Sequence, residues 1–312
     1  MKVLVTGGAG FIGSHLVDTL VERGDQVLVI DDLSTGVREY VNAAAAFRQL
    51  DIRTPEAAAV VHQWMPDVVC HHAAQMSVSR SVREPLFDAS VNLVGGLNIL
   101  EAAREVHARF LFASTGGALY GDAGVLPTPE SYPAWPVSPY GVAKLSFEHY
   151  LHCYREQHGV PYVSLRYANV YGPRQNARGE ANVVATFCLK LLAAEQPVIN
   201  GDGKQTRDFV HVTDVVNANL LALDSQVGGH FNVGTGRQVD INQVFRVIAA
   251  CLRISAREVH GPPRPGDQRT SALDSSLIAE KLGWRPQITI EDGLQDTADW
   301  FRARAATTNK DA

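Results

Sequence analysis

The sequence has few cysteines, little charge and no long hydrophobic run, and each shortage excludes a class of protein. Four cysteines in 312 residues, with no Cys-x-x-Cys pair, argue against a disulfide scaffold or a metal site and favour free thiols in a reducing cytoplasm. No apolar stretch reaches about 18 residues, and the chain starts directly as a strand, so we expect neither a membrane span nor a signal peptide. A net charge of −5 without a basic run argues against nucleic acid as a partner.

Apolar residues are abundant and alternate between strand-like runs and helical periods. They make up 46% of the chain, enough for an ample core. The pattern predicts strands at 2–6, 26–30, 47–50, 67–71, 109–113 and 161–166, and helices at 14–23, 55–64, 85–106 and 139–158. This alternation predicts an α/β fold with a doubly wound parallel sheet of the Rossmann type, whose ligands bind beyond the carboxyl ends of the strands.

The second half of the chain has a looser rhythm. Turn-rich segments appear at 171–174, 200–203 and 261–266. We therefore predict a Rossmann domain over residues 1–166 and a smaller C-terminal α/β substrate domain over residues 167–312, with some chain crossing back to the first domain.

A glycine-rich turn lies between the first predicted strand and helix, the context that a dinucleotide-binding turn requires. Gly7 permits the tight turn, Gly10 lets backbone N–H groups approach a pyrophosphate, and Gly13 lets the helix pack close to the strand. Asp31 ends the second strand, where its carboxylate can bind both ribose hydroxyls and repel a 2′-phosphate. This favours NAD over NADP. Arg38 is the only nearby cation and is a weak indication of NADP.

Tyr140 and Lys144 follow Pro139 at the start of a predicted helix, and residues four apart share a helix face. A phenol with a pKa of about 10 is a poor base near neutral pH. A nearby lysine charge and an oxidised nicotinamide would both lower the pKa of Tyr140. The spacing alone occurs by chance in many helices, so the dinucleotide turn is what makes this pair a candidate catalytic site.

These residues together resemble the extended short-chain dehydrogenase/reductase superfamily and, within it, the UDP-glucose 4-epimerase-type nucleotide-sugar epimerases. The resemblance covers nearly the whole chain. Its motifs occur in order at 6–13, 31–36, 51–52, 72–75, Asn92, 140–144, 166–173, 201–211 and 264–267.

The resemblance implies a tightly bound NAD and a UDP-sugar substrate. Its cofactor-binding positions are Gly7, Gly10, Phe11, Ile12 and Gly13 at the pyrophosphate, Asp31 and Ser34 at the adenosine ribose, Asp51 and Ile52 at the adenine, Ala73, Ala74, Gln75 and Asn92 beside the cofactor, and Tyr140 with Lys144, the latter on the nicotinamide ribose.

The resemblance also implies a set of substrate-binding positions. They are Asn169, Arg207 and Arg264 at the diphosphate, Asp267 at the nucleotide ribose, Asn182 and Val183 along the base, and Ser271 at the sugar. Two arginines suit a diphosphate, because charge-assisted fork contacts are strong and directional. The alternatives are a salt bridge from Arg207 to Asp208 or Asp214, and a solvated loop charge for Arg264.

One position departs from the family pattern. Gly116 lies four residues before Tyr120, where the resemblance leads us to expect Ser or Thr. We expect Thr115, supported by Ser114, to supply the catalytic hydrogen bond to the sugar 4-oxygen, with a water as the alternative. Positions 116–118 carry no carboxylate, unlike related 4,6-dehydratases and UDP-glucuronate decarboxylases, which favours an epimerase.

The implied reaction is NAD-dependent C4 epimerisation of UDP-hexoses through a transient 4-keto sugar. Ser271 is small where family members confined to plain hexoses often have tyrosine, so we expect UDP-GlcNAc and UDP-GalNAc to be accepted alongside UDP-glucose and UDP-galactose. The alternative is that Ser271 only packs against neighbouring chain. Other activities left open are those of a UDP-glucuronate 4-epimerase or decarboxylase and an NAD(P)H-dependent nucleotide-sugar ketoreductase.

The two helices that begin at Pro85 and Pro139 carry apolar residues beyond one stripe. In the family such helices pair across a two-fold axis, so we expect a homodimer; the alternative is burial against the chain's own sheet. The residues concerned are Leu93, Leu97, Leu100, Leu145, Phe147, Tyr150 and Leu151.

Overall fold

The computed structural model describes residues 1–176, 182–264 and 268–308. Its strands are β1 (Lys2–Thr6), β2 (Gln26–Asp31), β3 (Ala46–Gln49), β4 (Val68–His71), β5 (Arg109–Thr115), β6 (Tyr162–Tyr167), β7 (Asn169–Tyr171), β8 (Ile199–Asn200), β9 (Thr206–Arg207), β10 (Phe209–His211), β11 (Gly229–Val233), β12 (Val239–Asp240) and β13 (His260–Gly261). Seven of them form one parallel sheet in the order β3-β2-β1-β4-β5-β6-β11, which confirms the predicted fold class.

The helices are α1 (Phe11–Glu22), α2 (Pro55–Trp64), α3 (Val78–Arg83), α4 (Pro85–Ala89), α5 (Gly96–Glu105), α6 (Pro139–His158), α7 (Val183–Leu192), α8 (Val212–Asp224), α9 (Ile241–Leu252), α10 (Ser276–Leu282) and α11 (Ile290–Thr308). Helices cover both faces of this sheet, and α7, α9 and α11 pack together in the C-terminal part. A π-helical turn over Ser90–Gly95 joins α4 to α5, so the helix predicted at 85–106 is interrupted rather than continuous.

Helix α6 shows why local sequence fixes some boundaries sharply. Ser138 caps its start by accepting a hydrogen bond from the N–H of Gly141 at 3.1 Å, and Pro139 occupies the first helical position. Gly159 ends the helix with φ at +71°, the left-handed conformation that glycine adopts without strain. The helix therefore coincides with the predicted range.

Three apolar clusters hold the layers together. One packs α1 and α8 on one face of the sheet, the second packs α2, α5 and α6 on the other face, and the third lies between α7, α9 and α11. Leu100, Phe147 and Leu151, which we expected on a dimer face, lie in the second cluster and are fully buried. That expectation is wrong for these three, because their helices use those side chains to cover the sheet.

The chain returns to the first sheet after residue 167. Strand β11 pairs with β6 in parallel, with Phe231 opposite Leu165, and α8 packs against α1. The division into residues 1–166 and 167–312, with its expected crossing back, stays a prediction. Among the described residues, no helix has the length and apolarity needed to span a membrane.

Candidate active site

The glycine-rich turn between β1 and α1 brings three segments into close contact. Gly7 has φ at +71°, and a Cβ added there would lie 2.5 Å from the backbone nitrogen of Ala73. A Cβ on Gly13 would lie 2.2 Å from the carbonyl oxygen of Gly7. Both glycines are therefore required sterically, as the sequence predicted, and the turn is drawn against the end of β4.

The N-terminus of α1 has no internal compensation for its partial positive charge. Gly10 is the N-cap and contributes no side-chain hydrogen bond, and the first turn contains no acidic residue. The first-turn N–H groups of Phe11, Ile12 and Gly13 thus lack a side-chain cap. Such an end binds anions, so the turn and the helix fit the pyrophosphate of NAD.

Asp31 lies at the end of β2 with only 7% of its surface exposed. Its two carboxylate oxygens accept hydrogen bonds from the N–H groups of Ala9 and Leu33, each at 2.9 Å. Burial raises the pKa of Asp31, and these two donors oppose that rise. The carboxylate is held in a fixed orientation, with acceptor capacity left for ribose hydroxyls.

The other residues predicted to bind the adenosine, Ser34, Asp51 and Ile52, make their polar contacts within the chain. The hydroxyl of Ser34 donates to Asp32 at 2.6 Å. Asp51 is held by Arg53, and this guanidinium keeps the pKa of Asp51 below its ordinary value. Ile52 is buried, and Asn98 donates to its carbonyl oxygen at 2.7 Å.

Arg38, the cation that could have indicated NADP, stacks on an aromatic ring. Its guanidinium lies 4.4 Å from the ring centre of Phe47. An arginine stacked on an aromatic ring gains from that contact, which reduces its availability for a 2′-phosphate.

A network of amides follows β4. Ala73 donates its N–H to the Thr6 hydroxyl at 3.3 Å. Ala74 and Gln75 are the next two residues. The N–H of Gln75 donates to Asn92 Oδ1, and Asn92 Nδ2 donates to the carbonyl oxygen of Gln75, both at 2.9 Å. Gln75 and Asn92 also donate to the buried carboxylate of Asp88, at 2.7 and 2.9 Å. Motif spacing indicates the two amides but gives no signal for Asp88.

Lys144 is anchored to the sheet. It is 3% exposed, its Nζ donates to the carbonyl oxygen of Ala113 at 2.9 Å, and it lies 5.9 Å from the ring centre of Tyr140. Burial lowers the pKa of Lys144 to about 8, although Asp88 and Glu148 oppose that shift.

The pKa of Tyr140 moves against our expectation. Burial and then the negative charge of Asp88 raise it above its ordinary value. The predicted lowering by Lys144 is wrong for the chain alone, because the phenol is desolvated and the charge that acts on it is negative. An added positive charge is needed before Tyr140 can serve as a base.

The end of β5 explains the departure at position 116. A Cβ on Gly116 would lie 2.4 Å from Cδ1 of buried Leu273, so that side chain fills the space a Ser or Thr would need. Thr115 is half-buried, and among the described residues its hydroxyl oxygen accepts one long contact, from the N–H of Ala118 at 3.4 Å.

Ser114 lies on the face of β5 that packs against α6. Its hydroxyl is buried beside Glu148, although no partner among the described residues meets hydrogen-bond geometry. Thr115 is therefore the better placed of the two for a substrate, and Ser114 supports the strand end.

The loop after Thr115 is held by residues that sequence reasoning missed. Gln268 Nε2 donates to the carbonyl oxygens of Gly117 at 2.9 Å and Gly121 at 2.6 Å. Arg166 donates to the Tyr120 hydroxyl at 2.7 Å. Gln268 follows the 264–267 motif directly, but no spacing rule connects it to a loop about 150 positions earlier in the chain.

The two strands that carry Asn169 and Arg207 lie close to each other. The N–H of Asn169 donates to the carbonyl oxygen of Asp208 at 2.8 Å, and Arg207 Nη1 donates to the carbonyl oxygen of Thr206 at 2.8 Å. The Asp208 carboxylate accepts from the N–H and hydroxyl of Thr235 and from two further N–H groups. Its role is to fix a turn.

The other predicted substrate residues are spread over the C-terminal part. Asn182 is buried at the N-cap of α7, Val183 is the first residue of that helix, and Ser271 is half-buried two positions before Leu273. Arg264 is exposed, and Asp267 lies outside the described residues.

Comparison with known proteins identifies the family of the chain. The model of the NAD dependent epimerase/dehydratase family matches residues 3–234. The UDP-glucose 4-epimerase of Mycolicibacterium smegmatis is 42% identical over 312 residues, which cover 98% of this chain and 100% of that protein.

Two solved structures share the fold along nearly the whole chain. The UDP-glucose 4-epimerase of Thermotoga maritima, determined with UDP-glucose, is 47% identical with a TM-score of 0.95 and covers 97% of this chain and 99% of its own. The UDP-glucose 4-epimerase of Thermus thermophilus, in complex with NAD, is 44% identical with a TM-score of 0.92 and the same coverage.

Proposed function

The chain belongs to the NAD dependent epimerase/dehydratase family, and we propose that it inverts the C4 configuration of UDP-hexoses with NAD as a resident cofactor. The observation that carries this proposal is the pairing of two features at one sheet edge. They are the uncapped N-terminus of α1 behind Gly7 and the buried Lys144, anchored to β5 one turn beyond Tyr140. The first suits a dinucleotide and the second suits proton transfer.

The residues would hold the cofactor from one end to the other. Phe11, Ile12 and Gly13 offer N–H groups to the pyrophosphate, and Asp31 offers acceptors to the adenosine ribose. Lys144 would bind the nicotinamide ribose. When bound, NAD supplies a hydride acceptor whose positive charge also favours the phenolate of Tyr140.

Proton movement is the work of this chain's own groups. Tyr140 Oη takes the proton of the sugar 4-hydroxyl and gives it back after the 4-keto sugar has presented its other face. Thr115 orients the 4-oxygen by a hydrogen bond, in place of the hydroxyl that Leu273 excludes from position 116. Arg207 and Arg264 hold the diphosphate, so the sugar can turn while the nucleotide stays fixed.

The alternatives find no support in the site. Gly116, Gly117 and Ala118 place no carboxylate beside the hydroxyl, and a decarboxylase or dehydratase needs one for its acid–base steps. The relatives described above are 4-epimerases. A ketoreductase would consume added cofactor, whereas an epimerase regenerates its own.

The proposal extends to N-acetylated substrates through Ser271. This residue is half-buried and lies two positions before Leu273, whose side chain packs against Gly116. A small side chain at this position leaves room for a 2-acetamido group, so UDP-GlcNAc and UDP-GalNAc join UDP-glucose and UDP-galactose as proposed substrates.

The proposed assembly is a homodimer through the outer surface of α3, α4, the π-helical turn and α6. Large apolar side chains are exposed there: Val82 at 60%, Leu86 at 86%, Val94 at 58%, Val142 at 49% and Tyr150 at 41%. Such a patch on one face is typical of a protein interface, and two helical layers could pair across it. The proposed location is the cytoplasm, which suits four cysteines that are all free thiols.

The decisive variant for the activity is Tyr140→Phe. It removes one hydroxyl and keeps the ring, so NAD binding should persist while turnover falls by about 10³-fold or more. The measurement is the rate of UDP-galactose conversion by protein whose NAD content has been checked. Retention of most of the activity would show that another group carries the proton.

A further inference from the structure

Asp88 is a carboxylate buried in α4 with 1% of its surface exposed. Its Oδ1 accepts hydrogen bonds from Gln75 Nε2 at 2.7 Å and from Asn92 Nδ2 at 2.9 Å. Its Oδ2 is buried and has no partner among the described residues. Burying an ionised carboxylate is costly unless its oxygens are bonded, so a half-satisfied one requires an explanation.

The clamp on Asp88 is rigid. Gln75 and Asn92 are tied to each other by two backbone–side-chain hydrogen bonds of 2.9 Å. Asn92 is 2% exposed and lies in the π-helical turn, a local irregularity that is frequent at functional sites. The carboxylate of Asp88 therefore keeps one position, and its negative charge is fixed in space.

The helix that carries this charge packs against the helix that carries the proposed catalytic pair. These helices are α4 and α6, and Tyr140 and Lys144 occupy the first turns of α6. Asp88 raises the pKa of Lys144, although burial dominates and lowers it, and it raises the pKa of Tyr140 in addition to the effect of burial. Reciprocally, Lys144 opposes the rise that burial causes in the pKa of Asp88.

Among the described residues, three other titratable groups near Lys144 are neutral or paired: Glu148, His71 and His72. Glu148 is bound by Arg166, with 2.5 Å between Oε2 and Nη2. Burial lowers the pKa of His72 to about 4 and lowers that of His71 further below its ordinary value. Both imidazoles are therefore neutral near pH 7, and Glu148 carries its own counter-charge.

The charges on the outer side of α4 are also compensated. Arg80 pairs with Glu84 at 3.1 Å, and Arg53 pairs with Asp51 at 2.5 Å. Both guanidiniums lie over the ring of Phe87, and all four charged side chains are at least a quarter exposed. Exposed pairs of this kind are screened by solvent and act weakly on a buried site.

We propose that Asp88 is a positioning residue for the reaction, whose fixed negative charge favours the ammonium form of Lys144 and opposes ionisation of Tyr140. This rests on the proposed function of the pair. The charge opposes loss of the lysine proton in a buried site. It also opposes ionisation of the phenol, so that the positive charge of the bound cofactor is needed before Tyr140 can act as a base.

The test is the substitution Asp88→Asn, which keeps an oxygen for both amide donors and removes the charge. Without the charge, phenolate forms more easily and ammonium less easily, so both groups titrate at lower pH. Both limbs of the kcat profile for C4 inversion of UDP-galactose should move by about one pH unit toward acid. The matched control Glu84→Gln removes a surface charge beside α4 and should move neither limb by more than about 0.2 unit.

A second readout follows Tyr140 without turnover. The tyrosinate absorbance of the NAD-loaded protein is titrated against that of Tyr140→Phe, and the difference isolates this phenol from the other tyrosines. The difference titration should occur at lower pH in Asp88→Asn than in the native protein. Should Asp88→Asn fail to fold, Asp88→Ser also removes the charge and should give the same displacement.

The outcomes distinguish the role of Asp88 from the proposed function of the protein. Unmoved limbs and an unmoved phenol titration, with Tyr140→Phe inactive, overturn the role of Asp88 and leave the proposed function standing. An active Tyr140→Phe overturns the proposed function, and the absorbance titration then still decides whether Asp88 acts on the phenol.

Discussion

The Thr115 hydroxyl is the residue-scale feature on which substrate orientation depends. Thr115→Val preserves the shape of the side chain and removes the hydroxyl, so we expect turnover of UDP-galactose to fall by about 10²-fold with little change in folding. Ser114→Ala is the matched control, because that hydroxyl faces Glu148 and should matter less. An unchanged rate in Thr115→Val would transfer the role to Ser114 or to water.

Ser271 decides which sugars fit. Ser271→Tyr fills the proposed acetamido space, so kcat/KM for UDP-GalNAc should fall at least about 10-fold while that for UDP-galactose stays within about 3-fold. Ser271→Ala keeps the space and should keep both substrates. If the native protein already fails to turn over UDP-GalNAc, the pocket is closed by other residues and the proposed breadth of substrate is wrong.

Sequence reasoning at this scale succeeded where a residue's role is local. Gly7 and Gly13 could be assigned from their places between a strand and a helix, because a close approach of backbone excludes any Cβ. The direction of the Tyr140 pKa shift could not be predicted from the sequence. The charge that acts on Tyr140 belongs to Asp88, which is distant in the chain and is brought near by the packing of α4 on α6.

At the scale of elements, the loop from Gly117 to Gly121 is held by a side chain from the C-terminal part. Gln268→Leu removes both hydrogen bonds to this loop while keeping much of the volume. We expect kcat to fall about 10-fold with a smaller change in KM, because a loosened loop misplaces Thr115 more than it weakens nucleotide binding.

The control for this variant is Gln63→Leu, an equivalent change at an exposed position of α2. It should leave both constants as they are. Equal kcat values for Gln268→Leu and the native protein would show that the loop keeps its position without the two Gln268 hydrogen bonds.

Helix boundaries were predictable where proline and glycine mark them. Helices α2 and α6 have the predicted limits, since each begins at a proline and α6 ends before Gly159. The interruption of the helix predicted at 85–106 was not predictable, because the π-helical turn serves the contact between Asn92 and Gln75, which are distant in sequence. A periodic apolar pattern does not report such a contact.

At the scale of the whole molecule, the exposed apolar patch on α3, α4, the π-helical turn and α6 predicts a dimer. Val94→Arg places a charge in that patch, where Val94 is 58% exposed, and should shift the sedimentation coefficient from dimer to monomer. Val198→Arg is the matched control, because Val198 is 48% exposed in the C-terminal part and lies outside the patch. A monomer mass for the native protein would contradict the proposed assembly.

The alternation of strands and helices in the sequence predicted the parallel sheet and its ligand-binding edge. No feature of the sequence predicted that β11 returns to this sheet. A short strand that pairs with β6 after about 60 intervening residues is fixed by tertiary packing rather than by local pattern. The C-terminal part was accordingly the least well defined before the structure, and Gln268, which acts across the two halves, was missed.

The most direct test of the proposed mechanism is to incubate the purified protein with UDP-galactose, without added NAD, and to follow the configuration at C4 by NMR. We predict that UDP-glucose accumulates to equilibrium while the total amount of UDP-hexose stays constant, because the oxidation at C4 is reversed on the same protein molecule. Conversion that requires added NAD(P)H, or accumulation of an oxidised sugar without return to a hexose, would contradict it.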